Sequence, residues 1–386
     1  MNQLDMKESN KQNIFSAIRL TPGISRAQIA KKYRYSKTTV SILVEELISQ
    51  GYVTDGGLVQ ETTHSGRKPT RLFIDQTKHC LVIVNWTERM LVISRADLSG
   101  NISDIERVPL NNSEANGKFV IKNVQEYIQK MHMVTICTIC FILPAIIDES
   151  LEEISSSILN KAEMQSFIKD AKTVFHGYRI AFYNDTACLA YAEQQLGKYD
   201  ASDSCLYVNI NSGIGAVYII GGKMLGGASG RTTQLGHFSI DRNGYSCECG
   251  GHGCLEKCVG EKVLRRRAEE CGASHIFEHV EPLRFCDVGE MAKRENPGAL
   301  KLIELLADDL GFALANMITV IAVKYVILGG YARNLGDYFL ECIRRSVEGV
   351  GYQPFVQDAT FVYAQQNEDC ILKGAALYYM DHCYFI

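Results

Sequence analysis

The sequence predicts an α/β fold, in which a small N-terminal winged helix-turn-helix precedes a larger α/β body. Two observations predict it. The first 75 residues contain three helical patterns and a turn signal, whereas the rest of the chain alternates strand-like and helix-like segments. The length of 386 residues suits two or three domains, and 46% hydrophobic residues are enough for full cores. We therefore expect one domain over 1–75, including its linker, and the body over 76–386.

Three helical patterns occupy the N-terminal domain. The first begins at Asn10 and ends at the sequence Thr21-Pro22-Gly23. The second is capped by Ser25, and the third is capped by Ser36 and stopped by Gly51. The third helix has a continuous apolar stripe formed by Val40, Leu43, Val44, Leu47 and Ile48. This order of helices is typical of a helix-turn-helix.

A hairpin is predicted directly after the third helix. Residues 52–54 and 58–60 are strand-like and flank Asp55-Gly56-Gly57, a turn-forming sequence. The basic stretch Ser65-Gly66-Arg67-Lys68-Pro69 follows this hairpin. We expect Arg67 and Lys68 either to enter a DNA minor groove or to belong to a plain interdomain linker.

The third helix is expected to enter the major groove of DNA. The candidate DNA contacts are one arginine of the second helix and the polar N-terminal face of the third: Arg26, Ser36, Lys37, Thr38, Thr39 and Ser41. Hydroxyls and a lysine beside the positive end of a helix suit phosphates and base edges, although they also suit simple capping and solvation. The first 75 residues carry 11 basic against 7 acidic side chains, and the remainder carries 29 against 37. This distribution is typical of a DNA-binding head on an acidic body.

The body shows α/β alternation. Residues 80–84 and 91–94 are strand-like, and 299–323 have the apolar pattern of one long helix. A strand over 325–328 ends at Gly329-Gly330, before another helix.

Four candidate metal ligands cluster in the body. They are one imidazole and three thiols: His237, Cys247, Cys249 and Cys254. Three thiolates and one imidazole make a closed tetrahedral set, which predicts one structural Zn²⁺ per chain. Two alternatives stay open, namely that His252 or Cys258 replaces one ligand, or that the thiols are reduced and bind nothing.

The chain has the features of a cytoplasmic protein. Most of its 14 cysteines are expected to be free and buried, as in long intracellular chains. The N-terminus is polar, and no apolar run approaches the roughly 18 residues of a membrane span. We expect no membrane partner.

The segment from Gly236 to Glu256, which ends in Gly-Cys-Leu-Glu, resembles the signature of the ROK family of repressors and sugar kinases. Other segments resemble ROK proteins in the same order along nearly the whole chain: residues 10–75 with Ser25-Arg26, 143–148, 183–193, 208–215 and 326–330. The resemblance implies an actin-like, two-lobed fold of the ribonuclease-H type with a sugar between the lobes. Lobe one would span 76–183 plus 370–386, and lobe two, with the zinc loop, 184–369. Family repressors often bind operator DNA as homodimers or homotetramers.

The resemblance assigns sugar binding to five residues: Asn184, Asp185, Gln234, His237 and Glu256. Their carboxylate, amide and imidazole groups are natural partners for sugar hydroxyls. His237 would also bind zinc, so that the metal loop stiffens the floor of the site. Gln234 stands where the family usually has Glu, which keeps the size but loses the charge. The alternative for Asn184, Asp185 and Glu256 is ordinary turn and surface polarity.

In ROK kinases the Asp that matches Asp185 is the general base, and here we expect it to be a vestigial one. Phosphoryl transfer also needs the family's Asp-x-Gly-Gly-Thr loop, and the matching place is residues 84–89. The Asp is replaced by Asn85, and side chains fill both Gly positions. Backbone N–H groups then lose their access to phosphate, and Glu88 adds repulsion. We expect no kinase activity.

Three functions remain under comparison. The first is a DNA-binding repressor controlled by a sugar effector. The second is a ROK sugar kinase that also binds DNA, and residues 84–89 discriminate against it. The third is a regulator that responds to a partner protein, with a vestigial sugar pocket, which the departure at Gln234 would allow.

Overall fold

The computed structural model describes residues 3–58, 70–110, 116–131, 134–147, 154–156, 161–200 and 202–382. Within them lie the following α-helices, in chain order: α1 Gln3–Leu20, α2 Arg26–Tyr33, α3 Lys37–Ser49, α4 Gly117–Gln129, α5 Lys161–Val174, α6 Asp185–Leu196, α7 Leu264–Glu270, α8 Phe285–Lys293, α9 Pro297–Val320, α10 Asp337–Val350, α11 Gln353–Asp358 and α12 Cys370–His382. Each helix of this described part is too short or too polar to cross a membrane.

The strands of the same residues form two larger sheets and two small ones. In chain order they are β1 Val53–Leu58, β2 Thr70–Ile74, β3 His79–Trp86, β4 Met90–Asp97, β5 Ile102–Pro109, β6 Thr135–Leu143, β7 Ile146–Ile147, β8 Ile154–Ser155, β9 Arg179–Asn184, β10 Cys205–Ile210, β11 Ile214–Ile220, β12 Lys223–Met224, β13 Tyr325–Gly329 and β14 Thr360–Tyr363.

The chain divides into two compact units. Unit 1 comprises residues 1–143, 166–182 and 371–386, and unit 2 comprises 144–165 and 183–370. Helices α1 to α3 with strands β1 and β2, here called the reading head, belong to unit 1. The expected domain and lobe boundaries stay a prediction, because this division does not separate the reading head from the rest of unit 1.

The helices of the reading head follow the local signals of the sequence. Helix α1 begins at Gln3, earlier than the expected Asn10. Ser25 caps α2 in a capping box, in which its hydroxyl accepts from the Gln28 N–H and the Gln28 side chain accepts from the Ser25 N–H. Helix α3 ends just before Gly51, whose φ of +78° lies in the left-handed region that glycine favours.

The predicted hairpin turn at Asp55-Gly56-Gly57 is wrong. Strand β1 runs through this sequence to Leu58, with a bulge between Asp55 and Leu58, and its antiparallel partner is β2. The wing is therefore wider than expected, and residues 59–69 connect its two strands. The physical reason is the bulge, which lets the two glycines continue the strand instead of reversing it.

Unit 1 contains a sheet with the strand order β5-β4-β3-β6-β9. Strands β3, β4 and β5 are antiparallel neighbours, and β6 lies parallel to β3. Seven of the eight residues of β3 are buried, because this strand is central in the sheet. Aromatic side chains of α5 and the sheet pack together on one face, with Phe167 edge-to-face on both Trp86 and Phe141.

Unit 2 repeats the same topology with the order β12-β11-β10-β13-β14. Strands β10 and β11 are antiparallel, whereas β13 lies parallel to both β10 and β14. The long helix α9 packs into the core of this unit, and the buried side chains predicted for it, such as Leu302, Leu306 and Leu310, are fully inaccessible. In each of the two sheets, three antiparallel neighbouring strands are followed by a strand that runs parallel to the third. A duplicated ribonuclease-H-type fold requires this repeated order, which confirms the predicted fold class.

Candidate functional site

The exposed surface of α3 is polar at its N-terminal end. Ser36, Lys37, Thr38 and Ser41 are exposed, and Thr39 is half-buried. The Ser36 hydroxyl accepts from the Thr39 N–H at 3.0 Å and lies 2.8 Å from the Thr39 hydroxyl. Ser36 and Thr39 are thus engaged in capping the helix. Lys37, Thr38 and Ser41 form the outward face that can meet DNA.

Arg26 has structural partners. Its guanidinium lies 2.7 Å from Glu45 of α3 and 3.8 Å from Asp55 of β1. These ion pairs hold α2, α3 and the wing strand together, and its role in DNA contact stays a prediction. Arg67 and Lys68 lie outside the described residues. In the sequence they fall between β1 and β2, and both alternatives given for them stay predictions.

Four exposed residues outside the predicted set of DNA contacts lie on α2, on α3 and in the turn between them. Arg34 adopts a φ of +57°, in the left-handed region where a glycine is more usual, and Lys31 and Lys32 precede it on the exposed surface. Ile42 is 54% exposed on α3. The signal for the other three was the presence of three cations within residues 31–34, just before the helix cap.

The structure brings the four predicted metal ligands together in unit 2. One donor atom from each of His237, Cys247, Cys249 and Cys254 lies within 4.8 Å of every other. The Cys249 and Cys254 sulfurs are 3.6 Å apart, and the Cys247 sulfur is 3.7 Å from Nδ1 of His237. His252 and Cys258, the alternative ligands, are not part of this cluster among the described residues.

Tight backbone turns bring these four residues together. Gly253 has a φ of +63°, and a Cβ atom on it would lie 1.7 Å from the carbonyl oxygen of Asp241. Only glycine fits there, because the Asp241 carbonyl group occupies the space that a Cβ atom would need. The Cys247 N–H donates to the Gly251 carbonyl at 2.9 Å and closes a tight loop that contains Cys249.

The donor set and its spacing fit a zinc ion. Tetrahedral zinc with Zn–S bonds of about 2.3 Å places two ligand sulfurs roughly 3.8 Å apart. The observed separation of 3.6 Å between the Cys249 and Cys254 sulfurs agrees with this geometry. Cys247 and Cys254 are buried, and four protein donors leave no coordination position for a substrate. The fit therefore favours a structural role over a catalytic one.

Asn184 and Asp185, two of the predicted sugar-binding residues, lie at the N-terminus of α6. The Asn184 Oδ1 accepts from the Ala187 N–H and its Nδ2 donates to the Ala145 carbonyl, each at 3.0 Å. The Asp185 Oδ1 accepts from the Thr186 N–H at 2.6 Å. Burial raises the pKa of Asp185 to about 6, although the hydrogen bonds from Thr186 oppose this shift. Asn184 thus has a capping role, and Asp185 is the better candidate for ligand contact.

Close contacts connect the other predicted sugar residues. The exposed Gln234 donates from Nε2 to the Gly230 carbonyl, and a Cβ on Gly230 would lie 2.7 Å from the amide carbon of Asn184. His237 Nδ1 lies 3.4 Å from the Glu256 carboxylate, whose side chain is only 10% exposed. Glu256 also lies 3.2 Å from the Cys247 sulfur. It therefore contacts the metal cluster directly, which the sequence did not indicate.

The start of β11 lies between the pair Asn184 and Asp185 and the pair His237 and Glu256 in unit 2. A Cβ on Gly215 would lie 2.2 Å from the Thr186 hydroxyl, and a Cβ on Gly236 would lie 2.4 Å from the Ile214 carbonyl. The residue after Asp185 and the residue before His237 therefore both pack against this strand. Gly215 is required here by its close approach to Thr186 of α6.

Residues 84–89 form the end of β3 and a tight turn. Trp86 is buried inside the strand, 5.0 Å from Phe167 between ring centroids. The Thr87 N–H donates to the Met90 carbonyl, and the Thr87 hydroxyl accepts from the Met90 N–H at 3.1 Å. The backbone N–H groups of Thr87 and Met90 are thus used within the turn.

Two family models match the chain. The model described as the ROK family matches residues 89–382, and a model described as winged helix-turn-helix DNA-binding matches residues 8–54. The xylose repressor of Bacillus subtilis (strain 168) is 23% identical over 384 residues, which cover 98% of this chain and 97% of the relative. The two model matches follow the order of the reading head and the body.

Two crystal structures show the same fold. One is a ROK family transcriptional regulator described as a homolog of the E. coli MLC protein, with a TM-score of 0.80, 22% identity and coverage of 98% of this chain and 97% of that chain. The other is the ROK hexokinase from Thermus thermophilus, with a TM-score of 0.60, 24% identity and coverage of 78% and 97%. The regulator matches the full length, whereas the hexokinase leaves about a fifth of this chain unmatched.

Proposed function

We infer that this chain, which belongs to the ROK family, is a DNA-binding transcriptional repressor whose affinity for operator DNA responds to a sugar. The observation that carries this proposal is the winged helix-turn-helix at the N-terminus of a ROK body. The similarity to a xylose repressor supports it, because that match covers 98% of this chain and 97% of the relative. We place the protein in the cytoplasm, where operator DNA is accessible.

The reading head would bind DNA through α3. Lys37, Thr38 and Ser41 face outward at the positive end of the helix, where they suit phosphates and base edges. Arg67 and Lys68 in the wing connection would contact the adjacent groove. The exposed cations Lys31, Lys32 and Arg34 would add contacts to the phosphate backbone.

The sugar would bind beside the N-terminus of α6. Asp185 would accept hydrogen bonds from sugar hydroxyls, and Asn184, Gln234, His237 and Glu256 would complete the polar site. A bound Zn²⁺, held by His237 and the three clustered cysteines, would supply a rigid cross-link in this loop. His237 would then present one ring nitrogen to the metal, with the Glu256 carboxylate beside the ring.

The sugar can change DNA binding only through a difference in its affinity for two conformations of the chain. In a homodimer or homotetramer, such a change would alter the spacing of two reading heads on a palindromic operator. The direction of the response, release or tighter binding, follows from which conformation the sugar prefers.

The proposal can be tested with purified full-length protein. Fluorescence anisotropy with duplexes from its own promoter region should show specific binding that a sugar changes. A panel of D-xylose, D-glucose, N-acetyl-D-glucosamine and disaccharides in calorimetry should identify the effector. Binding to no promoter duplex above a scrambled duplex would contradict the proposal, and binding to DNA without heat from any sugar would favour control by a partner protein.

A sugar kinase is the second candidate, because the ROK hexokinase shares the fold. The tight turn at 84–89 disfavours it, since Asn85 replaces the acidic residue and the N–H groups of Thr87 and Met90 are already hydrogen-bonded. We therefore expect no ADP release above background when ATP and the same sugar panel are supplied. Sugar-dependent ADP release that disappears in an Asp185→Asn variant would instead establish the kinase.

A further inference from the structure

The C-terminal helix α12 contacts the reading head inside unit 1. The side-chain amide of Gln12 on α1 donates to the Met380 carbonyl at 2.7 Å, and both groups are buried. The Arg19 guanidinium forms an ion pair with Asp381, with side-chain exposures of only 6% and 17%. Buried polar contacts of this kind fix the orientation of α1 relative to α12, because a displacement of either helix leaves a desolvated group without its partner.

The reading head has a second attachment in unit 1, at β3. The rings of Tyr52 and His79 are stacked at 4.3 Å with an angle of 15° between their planes. His79 Nε2 also donates to the Gln50 carbonyl, the C-cap of α3, at 2.8 Å. With attachments at α1 and at the end of α3, the head is held as one body, so that a movement of α12 would be passed to α3.

The other end of α12 is continuous with a segment held in unit 2. Unit 2 ends at Cys370, the first residue of α12. Shortly before it, the backbone N–H groups of Gln365 and Gln366 donate to the two carboxylate oxygens of Glu193, at 2.8 and 2.9 Å. Glu193 is only 1% exposed. Its two acceptor oxygens fit two consecutive N–H donors, whereas the amide of glutamine would offer one acceptor and a repelling donor.

Glu193 belongs to α6, the helix that begins at the proposed sugar residues. Asn184 caps this helix, Asp185 is its first residue, and Glu193 follows about two turns later. Every residue from Thr186 to Glu193 is buried. A helix so enclosed moves as a rigid element, so a displacement at Asp185 is also a displacement at Glu193.

We propose that α6, the Glu193 carboxylate and α12 form the route by which the sugar site controls the reading head. A sugar bound at Asp185 shifts α6, Glu193 carries the 365–366 segment with it, and α12 passes the shift to Arg19 and Gln12. Glu193, Arg19 and Asp381 are positioning residues that touch neither sugar nor DNA. The inference rests on the proposed function for its biological meaning, but the mechanical connection can be tested without any ligand.

Hydrogen–deuterium exchange of the full-length chain provides this test. Glu193→Gln should accelerate amide exchange not only at 362–370 but also in α12 over 376–382 and in α1 over 12–19, by about threefold or more. Asp309→Asn is the matched control, because it removes a carboxylate that is paired with Arg267 elsewhere in unit 2. Acceleration confined to 362–370, or the same acceleration of α1 in the control, would overturn the proposal.

A second variant, at the α12 end of the proposed route, keeps the test valid if Glu193→Gln folds poorly. Asp381→Asn should accelerate exchange in α1 without affecting 186–196. In the double variant, α1 should exchange no faster than in Asp381→Asn alone, because the route is already interrupted. Independent, multiplicative accelerations in α1 would show that the two residues do not act along one route.

Ligand measurements on the same proteins separate this proposal from the proposed function. Asp381→Asn should bind D-xylose, D-glucose or N-acetyl-D-glucosamine as the unmodified protein does, and should bind operator within about twofold in the absence of sugar. The change of operator affinity caused by the sugar should be lost. A variant that keeps the full sugar response would overturn the route. If the unmodified protein responds to none of the three sugars, the proposed function fails for them, while the exchange comparison still decides the route.

Discussion

Single side chains show how burial shapes the proposed sugar site. Burial raises the pKa of Asp185 from its ordinary value of 3.8 to about 6. In its ionised form this carboxylate is a strong acceptor for hydroxyl groups, but its ionisation opposes folding because the charge is desolvated. The residue that suits ligand binding therefore destabilises the ligand-free fold.

Asp185→Asn should be more stable than the unmodified protein at neutral pH. Because the pKa of the carboxyl is higher in the folded state, its stabilising effect is complete below about pH 4 and is lost as the pH rises through about 6. The difference in free energy of unfolding between the variant and the unmodified protein should therefore grow between pH 4 and 6 and stay constant above. Urea unfolding at several pH values measures this difference.

Asp200→Asn is the control, because its effect on the free energy of unfolding should have the opposite dependence on pH. Hydrogen bonds from the Ser202 N–H and hydroxyl lower the pKa of Asp200. Its contribution to stability is present above its ordinary pKa and is lost as the pH falls, so this variant should be less stable at neutral pH. If the two aspartate variants show pH dependences of the same sign, the buried environment of Asp185 is wrongly assigned.

Cys249→Ser should release the metal from the cluster. Removing one of four donors opens the tetrahedral set, and the loop around Cys247 and Cys254 loses its cross-link. Metal analysis should give about one zinc per chain before the change and far less after it. The Tm should fall by roughly 5–10 °C, since each kcal/mol corresponds to about 2–4 °C in a domain of this size.

Cys286→Ser is the control for that experiment. Cys286 is an exposed cysteine of α8, as Cys249 is an exposed cysteine of the cluster, but it does not belong to the four ligands. Its replacement should leave both metal content and Tm unchanged. An unchanged zinc content in Cys249→Ser would reject the assigned ligand set.

At the scale of elements, α3 and the wing define the surface offered to DNA. The apolar stripe of α3 is buried against the head, which leaves Lys37, Thr38 and Ser41 outward near its N-terminus. The connection between β1 and β2 contains Arg67 and Lys68, so the wing carries its own positive charge. The proposed binding, with α3 in one groove and the wing beside it, would account for the basic balance of the first 75 residues.

Lys37→Glu should weaken operator binding by about tenfold or more and reduce the salt dependence of binding by about one counterion. The exposed lysine lies at the N-terminal end of α3, where a negative charge would repel phosphate. Anisotropy titrations at several salt concentrations measure both quantities. Lys301→Glu, at an exposed position of α9, changes the net charge equally and should have little effect. Equal losses in the two variants would remove this face of α3 from the DNA interface.

At the scale of the whole molecule, the proposed control of DNA binding would require more than one reading head. A palindromic operator has two half-sites, and the proposed sugar response acts on the spacing between the heads that occupy them. A single chain offers one winged helix-turn-helix, so its operator complex would lack this geometric control.

Light scattering after size exclusion should therefore give the mass of two or four chains. The complex with a promoter duplex should contain an even number of chains per duplex. A monomer in solution that also binds DNA as a monomer would contradict the proposed mechanism, although not DNA binding itself. Repeating the measurement with each sugar of the panel shows whether the effector alters assembly.

The sequence by itself determined the features that depend on neighbouring residues. The caps at Ser25 and Ser36, the stop at Gly51 and the buried stripe of α3 are local, because one turn of helix decides them. The convergence of the four candidate metal ligands was also predictable, since their residue types and spacing limit the geometry they can adopt.

Only the tertiary structure decided which segments pair with each other. Asp55-Gly56-Gly57 has the composition of a turn, yet β2 pairs with a strand that runs through it, because a distant strand competes with the local preference. Arg26 pairs with Glu45 of another helix, and Glu193 binds the N–H groups of Gln365 and Gln366, far away in sequence. These contacts depend on how the elements pack, and no local pattern records packing between residues so far apart along the chain.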